Sequence, residues 1–78
     1  MNNSNSDRDE IKLLDVVALT EDVPAGNLLR GQVGTILQAL VPGVFEVEFS
    51  DDEGRTYAMA ALRADQIMVL HYEPVASN

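Results

Sequence analysis

The sequence predicts an all-β fold, a small five-stranded barrel with at most one 3-10 turn. Three observations predict it. Gly31 and Gly34 stand three apart at the start of a β-rich run, Val33-Gly34-Thr35-Ile36. A Pro42-Gly43 turn follows. Val44 to Ser50 then alternates, with Phe45, Val47 and Phe49 against Glu46 and Glu48, the period of a strand with one buried face. Closing short strands into a barrel hides the edges that a lone sheet leaves open.

Leu13 to Thr20 reads as the first strand. Leu13, Val17 and Leu19 share one parity, and Val16 and Ala18 the other. Apolar residues on both parities suit a strand covered on both sides or one that changes partner midway. Glu21 to Arg30 is a long connection, marked as a turn by Pro24-Ala25-Gly26-Asn27. A long connection between the first two strands is the habit of SH3-like barrels, and this chain is expected to be one. Leu28 is expected to fold back onto the core, with Leu29 pointing away.

Val33 to Leu40 is the second strand. Val33 and Ile36 are both natural core residues of opposite parity, and a bulge at Gly34 reconciles them. Gly31 and Gly34 are thus read as a bend and a bulge. Val44 to Ser50 is the third strand, and Asp51-Asp52-Glu53-Gly54 a hairpin loop. Arg55 to Leu62 returns, with Tyr57, Met59 and Ala61 on one face and Tyr57 assigned to the core. Arg63-Ala64-Asp65 fits a single 3-10 turn. Gln66 to His71 closes the fold with Ile67 and Val69 inward.

At 78 residues the chain is one domain, of a size only marginally stable alone. Residues 1–10 carry almost no apolar content and read as a disordered tail. Residues 11–72 form the barrel, and 73–78 a loose C-terminal tail. No secretory signal or membrane-length apolar run is visible, so a cytoplasmic protein is expected. The 13 acidic and 5 basic residues give a net charge of −8. That balance argues against nucleic-acid and anionic-membrane binding, which need clustered Lys and Arg. It favours a basic protein partner.

Few residues offer chemistry. There is no cysteine, and His71 is the one histidine, too few for a metal site or a catalytic triad. The Gly31-x-x-Gly34 spacing lacks the Gly-Lys-Ser/Thr ending of a phosphate loop and leads into a strand, not a helix. No serine has a recognisable base, so no catalytic residue, cofactor or metal site is expected. The acidic run Glu46, Glu48, Asp51, Asp52 and Glu53 lacks the ligand spacing of a calcium loop. It reads either as a solvated strand face with a polar tip or as a docking surface. Arg55 follows three acids closely enough to neutralise them. Leu28, Leu29, Met68 and Leu70 are hard to bury together, so some apolar surface is expected to remain open.

Leu14-Asp15-Val16-Val17-Ala18-Leu19, Gly31-Gln32-Val33-Gly34-Thr35-Ile36, Val44-Phe45-Glu46-Val47-Glu48-Phe49 and the closing section from Tyr57 to Leu70 resemble a bacterial family of small proteins, domain of unknown function 4926. The resemblance runs from about Leu13 to His71. It implies a small SH3-like barrel and no enzymatic activity. Families of this kind are often encoded beside another small protein, which implies an antitoxin-like or accessory role.

The expected function is therefore a non-enzymatic, acidic protein-binding module docking on a basic partner, the product of a neighbouring gene on this expectation, through Leu29, Arg30, Glu46, Glu48, Asp51 and Asp52. The chain itself is expected to be a monomer or weak homodimer. The alternative is a ribosome- or RNA-associated SH3-like domain. Its support is the glycine-centred strand, and the missing Lys and Arg weigh against it.

Overall fold

A computed structural model describes residues 10–72 and Pro74. The expected tails, residues 1–10 and 73–78, lie outside the described residues except for Glu10 and Pro74. Five strands run in order: β1 (Val16–Leu19), β2 (Val33–Val41), β3 (Val44–Ser50), β4 (Thr56–Arg63) and β5 (Ile67–Val69). All pair antiparallel in one sheet of order β4-β3-β2-β1-β5. The expected all-β class is what the chain adopts. Two 3-10 turns replace the single one expected, at Pro24–Gly26 and Ala64–Gln66. The additional one forms where Pro24 fixes φ at its first position and Asn27 ends it in the left-handed region at φ 57°.

The sheet is strongly curled. β4 and β5 sit at opposite edges, which in a flat sheet are about 19 Å apart. Yet only Ala64–Gln66 joins Arg63 to Ile67, and a 3-10 turn rises about 2 Å per residue. That turn also pins the curl. Ala64 N–H donates to the Gly43 carbonyl at 3.0 Å, while Thr20 N–H and hydroxyl donate to the carbonyls of Gln66 (2.9 Å) and Asp65 (3.0 Å). The β2–β3 turn is thereby tied to the end of β1. β4 and β5 do not pair with each other, so the sheet is not closed by a ladder.

The inner face gathers Val17, Leu19, Ile36, Val47, Phe49, Leu62 and Ile67 around Leu28, which the β1–β2 connection folds in as expected. Val23 and Leu28 exchange backbone hydrogen bonds of 2.8 and 3.1 Å, closing the small loop that delivers Leu28. Each such fully buried side chain contributes about 1.5–3 kcal/mol.

Gly34 is not a bulge. It pairs in unbroken register with Val17 and Phe49 and faces inward with Ile36. A Cβ there would sit 2.7 Å from Val47 Cγ1 and 2.8 Å from the Glu48 carbonyl oxygen, so the close approach of β3 is what demands glycine. Val33 consequently points outward and is 44% exposed. The register shifts of β2 come later, between Ile36 and Gln38 and between Ala39 and Val41. Gly31 does mark a bend, at φ +93°.

The first strand also starts later than the sequence suggests. Lys12 N–H donates to Asp15 Oδ2 at 2.8 Å and Asp15 N–H to the Lys12 carbonyl at 3.1 Å, closing a turn over 12–15. Leu14 takes φ 68° within it. Leu13 and Leu14 are left exposed, and the parity that matched Leu13 to Val17 is broken.

Candidate docking surface

The outer face of β3 carries Glu46 and Glu48, both half-buried. Their neighbours across the ladders are neutral. Glu46 lies between Gln38 and Ala61, and Glu48 between Thr35 and Met59. Gln38 Nε2 donates to Glu46 Oε1 at 2.9 Å, and the Thr56 hydroxyl donates to Glu48 Oε2. Among the described residues neither carboxylate has an ion-pair partner.

Thr56 reaches Glu48 because β4 has a register shift beside it: Phe49 pairs with Ala58, but Ser50 pairs with Thr56. Tyr57 is the extra residue. Its ring lies 6.4 Å from that of buried Phe49, and its hydroxyl accepts from Gln32 Nε2 at 3.0 Å. Tyr57 therefore goes over to the Phe49 side of the sheet, away from Met59. It stays 48% exposed, covering the rim of the core rather than filling it.

The hairpin tip is organised around Asp51. Its Oδ1 accepts the N–H groups of Glu53 and Arg55, each at 2.9 Å. Arg55 Nε stands 3.4 Å from Asp51 Oδ2, and Arg55 donates to Glu53 Oε1 at 2.5 Å. The backbone N–H of Arg55 is the largest influence holding the Asp51 carboxyl below its ordinary value. Desolvation opposes it, and the Glu53 N–H and Arg55 side chain reinforce it. Asp51 and Glu53 are thus answered within the tip, whereas Asp52 has no side-chain hydrogen bond or ion pair among the described residues.

Leu29 and Arg30 are exposed on a short turn. Leu29 N–H donates to Gln32 Oε1 at 2.6 Å, and Arg30 N–H donates to Asp22 Oδ1 at 2.8 Å. Gln32 thus bridges this turn to Tyr57 and the β3–β4 hairpin. Leu29, Arg30, Asp51 and Asp52 share one end of the sheet, while Glu46 and Glu48 occupy its outer face. The six expected site residues are therefore split over two neighbouring surfaces. Gln32, Thr56 and Met59 belong to them but were not among the expected site residues. An acid eight residues ahead of a hydroxyl, across a hairpin loop, is the available signal for Thr56.

His71 is exposed beyond the end of β5. Among the described residues no group of three or more His, Asp or Glu side chains could hold a metal ion. No helix of the described residues is long and apolar enough to cross a membrane.

These features define a small, curled, all-β module with an acidic outer strand face. Residues 13–69 match the model of the family described as domain of unknown function (DUF4926). The chain belongs to that family. No curated protein and no solved structure matches it.

Proposed function

We propose that the chain is a non-enzymatic protein-binding module, an antitoxin-like or accessory subunit, that docks on a basic protein partner in the bacterial cytoplasm. One observation carries this reading. Arg55 answers the tip acids Asp51 and Glu53, but Glu46 and Glu48 stand half-buried among neutral neighbours. Partly desolvated carboxylates of this kind gain from a cation brought by a partner. Asp52 extends the acidic surface, and Leu29 adds apolar area at the adjoining end. The net charge of −8 steers a basic partner toward the module. The cytoplasmic setting rests on the sequence reading alone.

Affinity capture from the native host tests the reading, with wild-type chain and a Glu46→Gln/Glu48→Gln chain as parallel baits. The expected result is one stoichiometric basic partner that elutes as salt rises and is depleted on the variant bait. Equal capture on both baits, or capture indifferent to salt, contradicts the proposal.

A further inference from the structure

β4 is an edge strand of eight residues, Thr56–Arg63, and its first seven carry no charge. The other edge, β5, has three residues. Natural sheets usually protect a long edge with charges or proline; β4 has neither before Arg63.

The ladder fixes which backbone groups β4 leaves open. Ala64 N–H donates to the Gly43 carbonyl, which makes Arg63↔Val44 a non-hydrogen-bonded pair of the antiparallel ladder. Alternation then makes Leu62↔Phe45 and Ala60↔Val47 hydrogen-bonded pairs, and Ala61↔Glu46 and Met59↔Glu48 non-bonded ones. The N–H and C=O groups of Met59 and Ala61 therefore point away from β3. Arg63 N–H points the same way and is already capped by Gln66 Oε1 at 2.9 Å. Met59 and Ala61 have no such cap among the described residues.

The same two residues stand in register with the two acids. A strand added to β4 would lie about 10 Å from β3, two strand spacings away. A Lys or Arg opposite Ala61 can lay its stem over the alanine methyl and carry its charge to Glu46. One opposite Met59 does the same toward Glu48. The residue between them faces the inner side, beside Ala58 and Ala60, small side chains packed on the fringe of the core.

We infer that β4 is a strand-addition site for an extended partner segment of the pattern basic–apolar–basic. The segment's backbone pairs with Met59 and Ala61, and its two cations meet Glu48 and Glu46. This rests on the proposed docking of a basic partner and specifies how that partner is held. A second copy of this chain is a poorer occupant, since each copy carries a net charge of −8.

The test uses the full chain, isotope-labelled for amide NMR, and a synthetic peptide of alternating Lys and Val. An alternating Glu and Val peptide and a Lys-Val peptide N-methylated at alternate amides serve as controls. The expected result is binding of the Lys-Val peptide alone, with hydrogen-exchange protection appearing at the Met59 and Ala61 amides. The Glu46→Gln/Glu48→Gln chain should bind it about tenfold more weakly, the loss of two surface ion pairs. Met59→Pro removes an edge N–H that β3 does not use, so the variant should fold and lose the peptide. Should that variant fail to fold, the N-methylated peptide asks the same question of the wild-type chain.

Tight binding of the N-methylated peptide, or binding without protection at Met59 and Ala61, overturns strand addition while leaving basic-partner docking in place. No binding of the Lys-Val peptide overturns strand addition, while basic-partner docking stands or falls with the affinity capture. Protection at Met59 and Ala61 in the chain alone shows the edge already taken, by its own termini or a second copy, and overturns the inference.

Discussion

The two faces of β3 are built to different ends. Val47 and Phe49 are wholly buried and meet Ile36, Gly34, Ala60 and Ala58 across both ladders. Glu46 and Glu48, one residue away from them, meet only neutral side chains across the ladders and remain half-open. The inner face is complete without a partner and the outer face is not. Stability should therefore reside in one parity of a seven-residue strand, and recognition in the other.

That contrast can be broken most forcefully from the inside. Phe49→Ala should cost about 3–5 kcal/mol, enough to unfold much of a domain this small. Urea denaturation checks it; a loss below about 1 kcal/mol would place Phe49 outside the core. Gly34→Ala comes next, at about 1–3 kcal/mol. Its new Cβ meets the Glu48 carbonyl at 2.8 Å, and backbone cannot move aside as a side-chain tip can. If Gly34 were only a flexible bend, the same change would be neutral or stabilising.

Away from β3, Leu14→Gly sharpens the contrast by the opposite sign. A left-handed backbone costs an L-residue about 1–2 kcal/mol, and glycine returns about 0.5–1 kcal/mol of that as unfolded-state entropy. With Leu14 exposed at φ 68°, thermal unfolding should show a net gain of roughly 0.5 kcal/mol.

The smallest effect concerns Asp51. Its carboxyl is held below the ordinary value in the fold, so its ionised form adds stability above the usual carboxylate range. That contribution is lost as pH falls through the folded value. Asp51→Asn keeps an acceptor for the Glu53 and Arg55 N–H groups but not the charge. The variant should be less stable than wild type near neutrality, and the gap should close below about pH 4. A gap independent of pH would mean that the charge is idle.

Much of the fold was legible because β3 is so plainly written. Its alternation fixed the buried parity, and Leu28 was recognisable as an apolar residue trapped in a polar connection. What escaped depended on register. Val33 and Ile36 compete for the core on parity alone. Only the approach of Val47 and the Glu48 backbone to Gly34 decides that Gly34 takes the inward place and Val33 leaves it. The shifts that bend β2 fall after Ile36, in the run Leu37-Gln38-Ala39-Leu40-Val41, with no glycine to signal them. Parity alone puts Tyr57 on the face of Met59, and the β4 register shift moves it to Phe49 instead.

The candidate surface was legible to the same depth. Arg55 follows Asp51, Asp52 and Glu53 closely enough to be read as neutralising all three; the hairpin pairs it with Asp51 and Glu53 and, among the described residues, not with Asp52. The division between strand-face acids and tip acids is legible in the sequence, but the neighbours of each group are not. Those neighbours depend on register, which sets Glu46 and Glu48 between neutral ladder partners, and on the β1–β2 turn, where Gln32 holds Leu29 and Asp22 holds Arg30.

Urea denaturation of the Glu46→Gln/Glu48→Gln double variant tests the division of β3 most directly. Glutamine can still accept the hydrogen bonds from Gln38 and Thr56, while removing two like charges about 7 Å apart on one face relieves up to ~0.5 kcal/mol of repulsion. The account predicts a stability equal to wild type or higher by up to that amount. A loss of about 1 kcal/mol or more would show that these carboxylates hold the fold together, and would contradict it.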